Sequence, residues 1–334
     1  MRDTTLRNYK FDNAKFFLIL CVVLLHFISP HRGLLTQKFV FTQNMYICLQ
    51  LLAMPCFTLI SGAFSHARIT DSSMVKMLRI LIVPYIIFEL IYSYLARDYN
   101  TKLLIIEPFY ILWYLLSLAI WRTLLPYFLQ LKFPLITAIA FAVFIGFCGK
   151  IGDVFALGIT FLYFPLFILG YKLQRFKDKE ANKGCKLAAL AIICFIIYFI
   201  VQLSPNNVKQ FEPIYPYYSI YHSTVLKSVF LRTFWMMISV LFSVSFLILV
   251  SAKKSVVSEW GQRSLYPYLF HAFILLMMID FGVYQNNNGI YIAALILGAM
   301  LTTILFSTRL AHRLFNFLVE PDLKWLFRLK AEEP

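Results

Sequence analysis

Residues 11–27, FDNAKFFLILCVVLLHF, decide how the rest of the chain is interpreted. The run is long and apolar enough to cross a bilayer, yet Asp12, Asn13 and Lys15 lie near one end and His26 near the other. Ionisable side chains inside a membrane helix are costly, and by default they mark function. Lys15 and His26 are about three helical turns apart, so a helix places them on nearly the same face, roughly 16 Å apart in depth. One face therefore offers a cation near its start and an imidazole deeper in.

The composition of the whole chain indicates an integral membrane protein. Hydrophobic residues make up 60% of the chain and charged residues 14%, whereas a soluble domain is about half apolar and about a quarter charged. The chain has no polar stretch long enough to form a separate soluble domain. The basic start, MRDTTLRNYK, precedes an apolar run with no small-residue cleavage site, so we expect a retained first helix and not a signal peptide.

Hydropathy predicts an all-α fold with about ten transmembrane helices, each near the 20 residues that a bilayer core needs. The expected spans are 12–30, 43–65, 75–96, 109–131, 133–149, 154–173, 185–204, 229–251, 264–284 and 289–309. Arg122 and Pro126 interrupt the fourth span. We expect the whole chain, 1–334, to form a single membrane-embedded domain.

The distribution of Lys and Arg predicts the orientation. With both termini in the cytosol, most of the 31 Lys and Arg residues fall on the cytosolic side. This arrangement accounts for the net charge of +15 without a nucleic-acid partner. It makes 174–184 a cytosolic linker and 312–334 a cytosolic tail that is amphipathic and lies on the inner surface. The aromatic-rich stretch 205–228 becomes the longest external loop, either an interfacial belt or a sugar-binding surface.

The cysteine pattern supports neither a disulfide framework nor a zinc site. The six cysteines lie mostly within apolar runs, and no CxxC or Cys/His cluster occurs. No metal site is therefore expected.

The ionisable residues inside the predicted spans separate into two groups by depth. We expect the outer group to lie at similar height on four helices: His26, Glu89, Arg232 and Asp280. The inner group comprises Asp12, Lys15, Arg79 and His271. Together they describe a polar path through the membrane. The alternative is that they form structural ion pairs, for example between Glu89 and Arg232.

These residues alone are compatible with two functions. A histidine in a polar path could deprotonate a hydroxyl for acyl transfer, with a nearby acid to orient the imidazole. Equally, His26, Glu89 and Asp280 could relay protons in a carrier or exporter of a glycan or small solute. A third hypothesis is an inactive partner in a glycan-assembly complex. Composition does not choose among them.

Six short segments, taken in order, resemble the acyltransferase-3 family of membrane-bound acyltransferases, most closely its fucose 4-O-acetylase-like branch. The first is the quoted stretch, with His26 at the family's histidine and Lys15 where the family has arginine. The others are MPCFTLISGAF (54–64), the basic-then-proline set Lys76, Arg79, Pro84 and Tyr85, LWYLL (112–116), FPLFILG (164–170) and SLYPYLFH (264–271). Lys15 lacks the forked guanidinium, so bidentate recognition is not expected there.

The resemblance implies O-acyl transfer, usually from acetyl-CoA, to a sugar hydroxyl of an envelope or exported glycan. It also implies a multi-pass protein of the bacterial cytoplasmic membrane, and a homo-oligomer is left open. We interpret His26 as the base or transient acyl acceptor, and the burial argument adds Glu89 and Asp280 as catalytic acids. The remaining expected roles are donor binding by Lys15, Arg79, Ser61 and His271, and acceptor binding by Asp12, Arg232 and Trp113. For His271, packing is the alternative.

Overall fold

The computed structural model describes residues 9–28, 40–96, 106–148, 154–176, 181–202, 225–285 and 289–323, and its regular structure there is helical throughout. We number the α-helices in chain order. They are α1 (Lys10–Ile28), α2 (Val40–Ala63), α3 (Asp71–Met77), α4 (Val83–Leu95), α5 (Trp113–Phe128), α6 (Pro134–Phe144), α7 (Leu157–Leu173), α8 (Lys183–Val201), α9 (Val225–Leu249), α10 (Val256–Gln262), α11 (Leu265–Asp280), α12 (Gly289–Ser307) and α13 (Arg309–Val319). The predicted all-α fold is confirmed.

Six of the described helical segments are long and apolar enough to cross a membrane, which makes this a multi-pass membrane protein. They contain α1, α2, α7, α8, α9 and α12. Two further apolar helices, Pro134–Phe147 and Leu265–Asp280, are shorter. A π-helical segment, Leu78–Ile82, separates α3 from α4. The count of ten spans therefore stays a prediction.

Several regions that the sequence singled out lie outside the described residues. The predicted cytosolic termini do so at both ends of the chain, as does most of the expected external loop at 205–228. The linker at 174–184 is described only at its two ends. Nothing in the described part tests the sides of the membrane assigned to them.

Small residues allow α2 and α7 to cross with their backbones in contact. A Cβ atom at Gly62 would lie 2.0 Å from the carbonyl oxygen of Phe167, and one at Gly170 would lie 2.1 Å from that of Leu59. Both distances are far below van der Waals contact, so only glycine fits at either position. Small residues at helix crossings are the usual means of close packing in membrane proteins. This crossing supports α1 and α9, which also pack against α2.

The N-terminal end of α1 is fixed by the short helix α10. A Cβ atom at Gly261 would lie 1.7 Å from the carbonyl oxygen of Asp12, so the two backbones touch. The side-chain amide of Asn13 donates to the carbonyl oxygens of Ser251 and Lys253, at 2.7 and 3.0 Å. Its own oxygen accepts from the Ser258 hydroxyl at 2.7 Å. The start of α1 is therefore held in a fixed position and rotation.

The last described helix, α13, is amphipathic, as the sequence predicts for the tail. On its inner face, Phe315 packs against Phe270 with ring centroids 4.5 Å apart. Asn316 accepts a hydrogen bond from the Tyr266 hydroxyl at 3.1 Å. The opposite face exposes apolar side chains one and two turns apart, which suits a helix lying on a membrane surface. These are Leu310, Leu314 and Phe317.

Candidate functional site

Two histidines from distant parts of the chain lie against each other inside the helical bundle. The rings of His26 on α1 and His271 on α11 have centroids 5.2 Å apart and an interplanar angle of 30°. The two helices that carry them pack together. His271 is fully buried. The structure therefore brings together the two candidate histidines, and the expected assignment of His26 to the outer group and His271 to the inner group is wrong.

A backbone hydrogen bond fixes the protonation of the His271 ring. Its Nδ1 lies 2.9 Å from the carbonyl oxygen of Pro267. Because a carbonyl oxygen only accepts, Nδ1 must carry the hydrogen, and the neutral ring then has its lone pair on Nε2. Nε2 is buried and has no hydrogen-bond partner among the described residues. The bond from Nδ1 thus fixes the orientation of the ring, with Nε2 available as a hydrogen-bond acceptor.

His26 contributes a second unpartnered nitrogen at the same place. Its Nδ1 is buried and, within the described part of the chain, has no hydrogen-bond partner. The ring of Tyr110 meets the His26 ring edge to face, with centroids 5.0 Å apart. Leaving a buried polar atom unsatisfied costs about 1–3 kcal/mol. Two such atoms on adjacent rings indicate a place where a ligand supplies the missing partner.

Two hydrogen bonds hold the segment before α5 that carries Tyr110, and a third joins the two helices that make those bonds. Glu89 on α4 accepts from the backbone N–H of Phe109 at 2.8 Å. The Tyr268 hydroxyl donates to the carbonyl oxygen of Ile111. The Tyr92 hydroxyl donates to the carbonyl oxygen of Leu269, which ties α4 to α11. These contacts place Tyr110 beside His26. Glu89 thus contacts the backbone that positions Tyr110.

A cavity of about 270 Å³ lies on the α1 side that faces α2, α5 and α11. Its polar lining includes three cations, Lys15, Lys76 and Arg122, and Ser61 hydrogen-bonded to the Tyr114 hydroxyl at 2.8 Å. No carboxylate lines this cavity in the described part of the chain. A concave surface lined by one sign of charge concentrates ligands of the opposite sign. The cavity is therefore suited to an anionic ligand.

One tyrosine connects the cavity to the histidines. Tyr268 lines the cavity, and its ring centroid is 6.2 Å from that of His271. On α1, Lys15 and Ile19 line the same cavity, and His26 lies two further turns along the helix. The cationic cavity and the histidine pair are consequently neighbouring parts of one site.

A second cavity, of about 250 Å³, adjoins the first. Lys76 and Ile80 line both. The second cavity is also lined by Arg79 and Asp322. Arg79 forms an ion pair of 3.6 Å with Glu320, which follows α13. The expected donor-binding residue Arg79 therefore lies beside the cationic cavity and not within it.

Asp12 and Trp113 lie at the margins of the site. Asp12 is buried and forms an ion pair of 3.5 Å with Lys15. Trp113 packs its ring on those of Tyr114 and Tyr163, with centroids 5.6 and 5.4 Å away. Their expected roles in acceptor binding stay predictions.

Arg232 and Asp280 lie away from the histidine pair and from both cavities. Arg232 is buried, as expected, and its guanidinium donates to the carbonyl oxygen of Ala142 at 2.8 Å. It thereby caps the C-terminal end of α6, where a cation is favourable. Asp280 is the last residue of α11, and its side chain is exposed and does not pack inside the helical bundle. Its catalytic role stays a prediction.

Among the residues of the site that were not selected from the sequence, Arg122 and Tyr268 gave a signal. Arg122 interrupts an apolar run, which is the same signal that singled out Lys15. Tyr268 precedes His271 by three residues, which places both on one helix face. Tyr114 lies in the family-like segment LWYLL, but an aromatic residue there did not stand out, since aromatic residues occur throughout the chain.

The acyltransferase-3 family model, described as an acyltransferase domain, matches residues 8–308. Comparisons with curated proteins and with solved structures give no match. The matched region includes both histidines and every residue that lines the first cavity.

Proposed function

The chain belongs to the acyltransferase-3 family, and from this premise we propose that it transfers an acetyl group from acetyl-CoA to a sugar hydroxyl of a cell-envelope or exported glycan. Acyl transfer in general follows from the family, whereas the acetyl donor, the sugar acceptor and the bacterial cytoplasmic membrane are parts of the proposal. One observation supports it above all: two imidazole nitrogens that have no hydrogen-bond partner among the described residues lie next to a cavity lined by cations.

The lining of the first cavity suits part of a coenzyme A thioester. Lys15, Lys76 and Arg122 provide positive charge for a phosphorylated ligand. The hydroxyls of Ser61 and Tyr114 can exchange their mutual hydrogen bond for bonds to amide groups. Its volume of about 270 Å³ is near the lower end of the range for ligand pockets. It therefore suits the arm of the donor, with the bulkier nucleotide outside.

The histidine pair supplies the base that the reaction needs. The Nε2 atom of His271 or a ring nitrogen of His26 accepts the proton of the acceptor hydroxyl. The hydroxyl oxygen then forms a bond to the carbonyl carbon of the thioester, and the bond from that carbon to sulfur breaks. The imidazolium returns the proton to the departing thiolate, which leaves as the thiol. Direct transfer is one route, and transient acylation of His26 is the other.

Lys15 and Tyr268 position the reactants in this proposal. Lys15 lies on the His26 face of α1 and brings positive charge to the donor side. The Tyr268 hydroxyl is engaged with the carbonyl oxygen of Ile111, so its ring is fixed between the cavity and the histidines. Its place there limits access of water to the reacting carbonyl. We expect the donor to enter from the cytosolic side and the acceptor from the other.

The carrier hypothesis is not favoured. A relay through His26, Glu89 and Asp280 needs the three groups to communicate, but Asp280 is exposed at the end of α11. Glu89 accepts a backbone hydrogen bond from Phe109. The family match points to acyl transfer.

The test is donor binding and turnover by purified wild-type protein and by His26→Ala. We expect both to bind acetyl-CoA, and the variant to release coenzyme A and acetylate sugar acceptors about 10²–10⁴-fold more slowly. His66→Ala is the matched control, because His66 is an exposed histidine outside the site, and we expect it to behave as wild type. Absence of thioester turnover by the wild type, or a normal rate for His26→Ala, would overturn the proposal. Replacing acetyl-CoA by succinyl-CoA tests the choice of acyl group.

A further inference from the structure

The ion pair between Arg79 and Glu320 leaves the arginine incompletely satisfied. The guanidinium Nη2 lies 3.6 Å from the carboxylate, and both side chains are about one-third exposed. The Nε atom of Arg79 is buried and has no hydrogen-bond partner among the described residues. Exposed pairs of this kind contribute little to stability. A stronger anionic ligand can therefore displace the carboxylate.

The position of Glu320 is set by the packing of α13. Phe315 contacts Phe270 and Phe306, with ring centroids 4.5 and 6.3 Å apart. Val319, the residue before Glu320, is fully buried. The hydrogen bond from Tyr266 to Asn316 adds a third point of attachment. The carboxylate is thus presented to Arg79 by an anchored helix.

The second cavity extends the first along the wall that carries Lys76. If a ligand in the first cavity has phosphates that extend past Lys76, those phosphates enter the second cavity, which Arg79 lines. There the phosphates also approach two carboxylates: Glu320, which is ion-paired to Arg79, and Asp322, which lines the second cavity. One guanidinium edge binds either the carboxylate or a phosphate, and the carboxylate repels the phosphate.

We propose that the carboxylate of Glu320 occupies Arg79 at the second cavity until a phosphate of the coenzyme A donor, whose binding by Arg79 the family resemblance implies, displaces it. The inference rests on the proposed function. Binding of the donor then exchanges one ion pair for another, and the segment 320–323 is released from Arg79. The same phosphate chemistry is offered by the headgroup of an anionic lipid, so the experiment distinguishes the two sources.

The experiment compares the dissociation constant of coenzyme A for wild type, Glu320→Gln and Glu259→Gln in detergent. Glu259 is the matched control, because it is another glutamate that is ion-paired to arginines but lies outside both cavities. We expect Glu320→Gln to bind coenzyme A roughly two- to fivefold more tightly. The phosphate then no longer has to displace a carboxylate, and an exposed ion pair is worth about that factor. Glu259→Gln is expected to match wild type, and Glu320→Ala to match Glu320→Gln.

Pantetheine, which lacks the phosphates, isolates the effect at the second cavity. We expect no change in its affinity upon Glu320→Gln. An equal gain for pantetheine, an equal gain in Glu259→Gln, or unchanged or weaker binding of coenzyme A by Glu320→Gln would each overturn the inference. Coenzyme A that binds wild type and Glu320→Gln equally leaves the proposed function standing, whereas no binding to the wild type removes both.

Nanodiscs test the lipid source. We expect the difference between wild type and Glu320→Gln to be the same in zwitterionic lipid and in lipid containing phosphatidylglycerol. Loss of the difference only with the anionic lipid would assign the second cavity to a headgroup phosphate and overturn the assignment to the donor.

Discussion

The two ends of α1 carry polar residues in opposite situations. At the N-terminal end, Asn13 bonds to two carbonyl oxygens and a hydroxyl. Near the C-terminal end, His26 contacts the rings of Tyr110 and His271 but leaves Nδ1 without a hydrogen bond among the described residues. One end is satisfied by the protein itself, and the other is not.

This difference separates structural from functional polarity within a single membrane helix. A polar side chain that finds all its partners in the protein holds helices in register. One that is buried and unpartnered carries a cost of about 1–3 kcal/mol that folding alone does not recover. The cost is explained if the group is bonded by a substrate during the reaction. The comparison can be tested at each end.

The largest effect is expected at the histidine end. We expect His271→Leu to lower the acyl-transfer rate about 10²–10⁴-fold, the usual contribution of a general base. Its unfolding temperature should change little, because the lost hydrogen bond from Nδ1 to the Pro267 carbonyl oxygen is offset by removal of the buried Nε2, which has no hydrogen-bond partner among the described residues. Steady-state kinetics and thermal unfolding in detergent measure the two quantities.

The opposite end supplies the control for this variant. We expect Asn13→Ala to lower the unfolding temperature, because its bonds to the loop before α10 are lost, while its rate per folded molecule is retained. A His271→Leu protein that is less stable but fully active would show that the residue only packs.

A smaller effect is expected where α10 touches α1. Gly261→Ala places a Cβ atom 1.7 Å from the carbonyl oxygen of Asp12, and backbone does not move aside as a side chain does. We expect a loss of about 1–3 kcal/mol, typical of overpacking, seen as a lower unfolding temperature. Gly298→Ala is the control, because its Cβ atom would lie 3.8 Å from the ring of Phe27, an ordinary contact. Equal stability of the two variants would contradict the close backbone contact.

The smallest effect is expected at the surface of α10. The hydrogen bond and charge of Arg309, with a further contribution from Arg263, lower the pKa of Glu259 below its ordinary 4.5. A lowered folded-state pKa contributes stability that is fully present above the unfolded value and is lost as pH falls through the folded value. Wild type should therefore exceed Glu259→Gln in stability at neutral pH, and the two should converge in acid. A difference that persists below the folded pKa would assign the effect to another cause. Salt should reduce the difference, because the pair is exposed.

The apolar runs determined the class of the protein and the position of its main helices. A run of about 20 consecutive apolar residues can be recognised from the local sequence alone, so α1, α2 and α8 could be predicted from their own residues. His26 was predicted as a candidate because a titratable group in such a run is exceptional. Helix ends were less predictable, and the exposure of Asp280 follows from where α11 stops.

The partners of the ionisable residues were decided only by the tertiary structure. In a membrane helix the faces toward lipid and toward protein are both apolar, so periodicity does not reveal which way a residue points. The sequence could not show that His271 meets His26, that Arg122 joins Lys15 and Lys76 at one cavity, or that Arg232 caps α6. The sequence by itself determined a helical membrane protein with a candidate catalytic histidine. The crossing of helices, set by glycines such as Gly62, decided which groups surround that histidine.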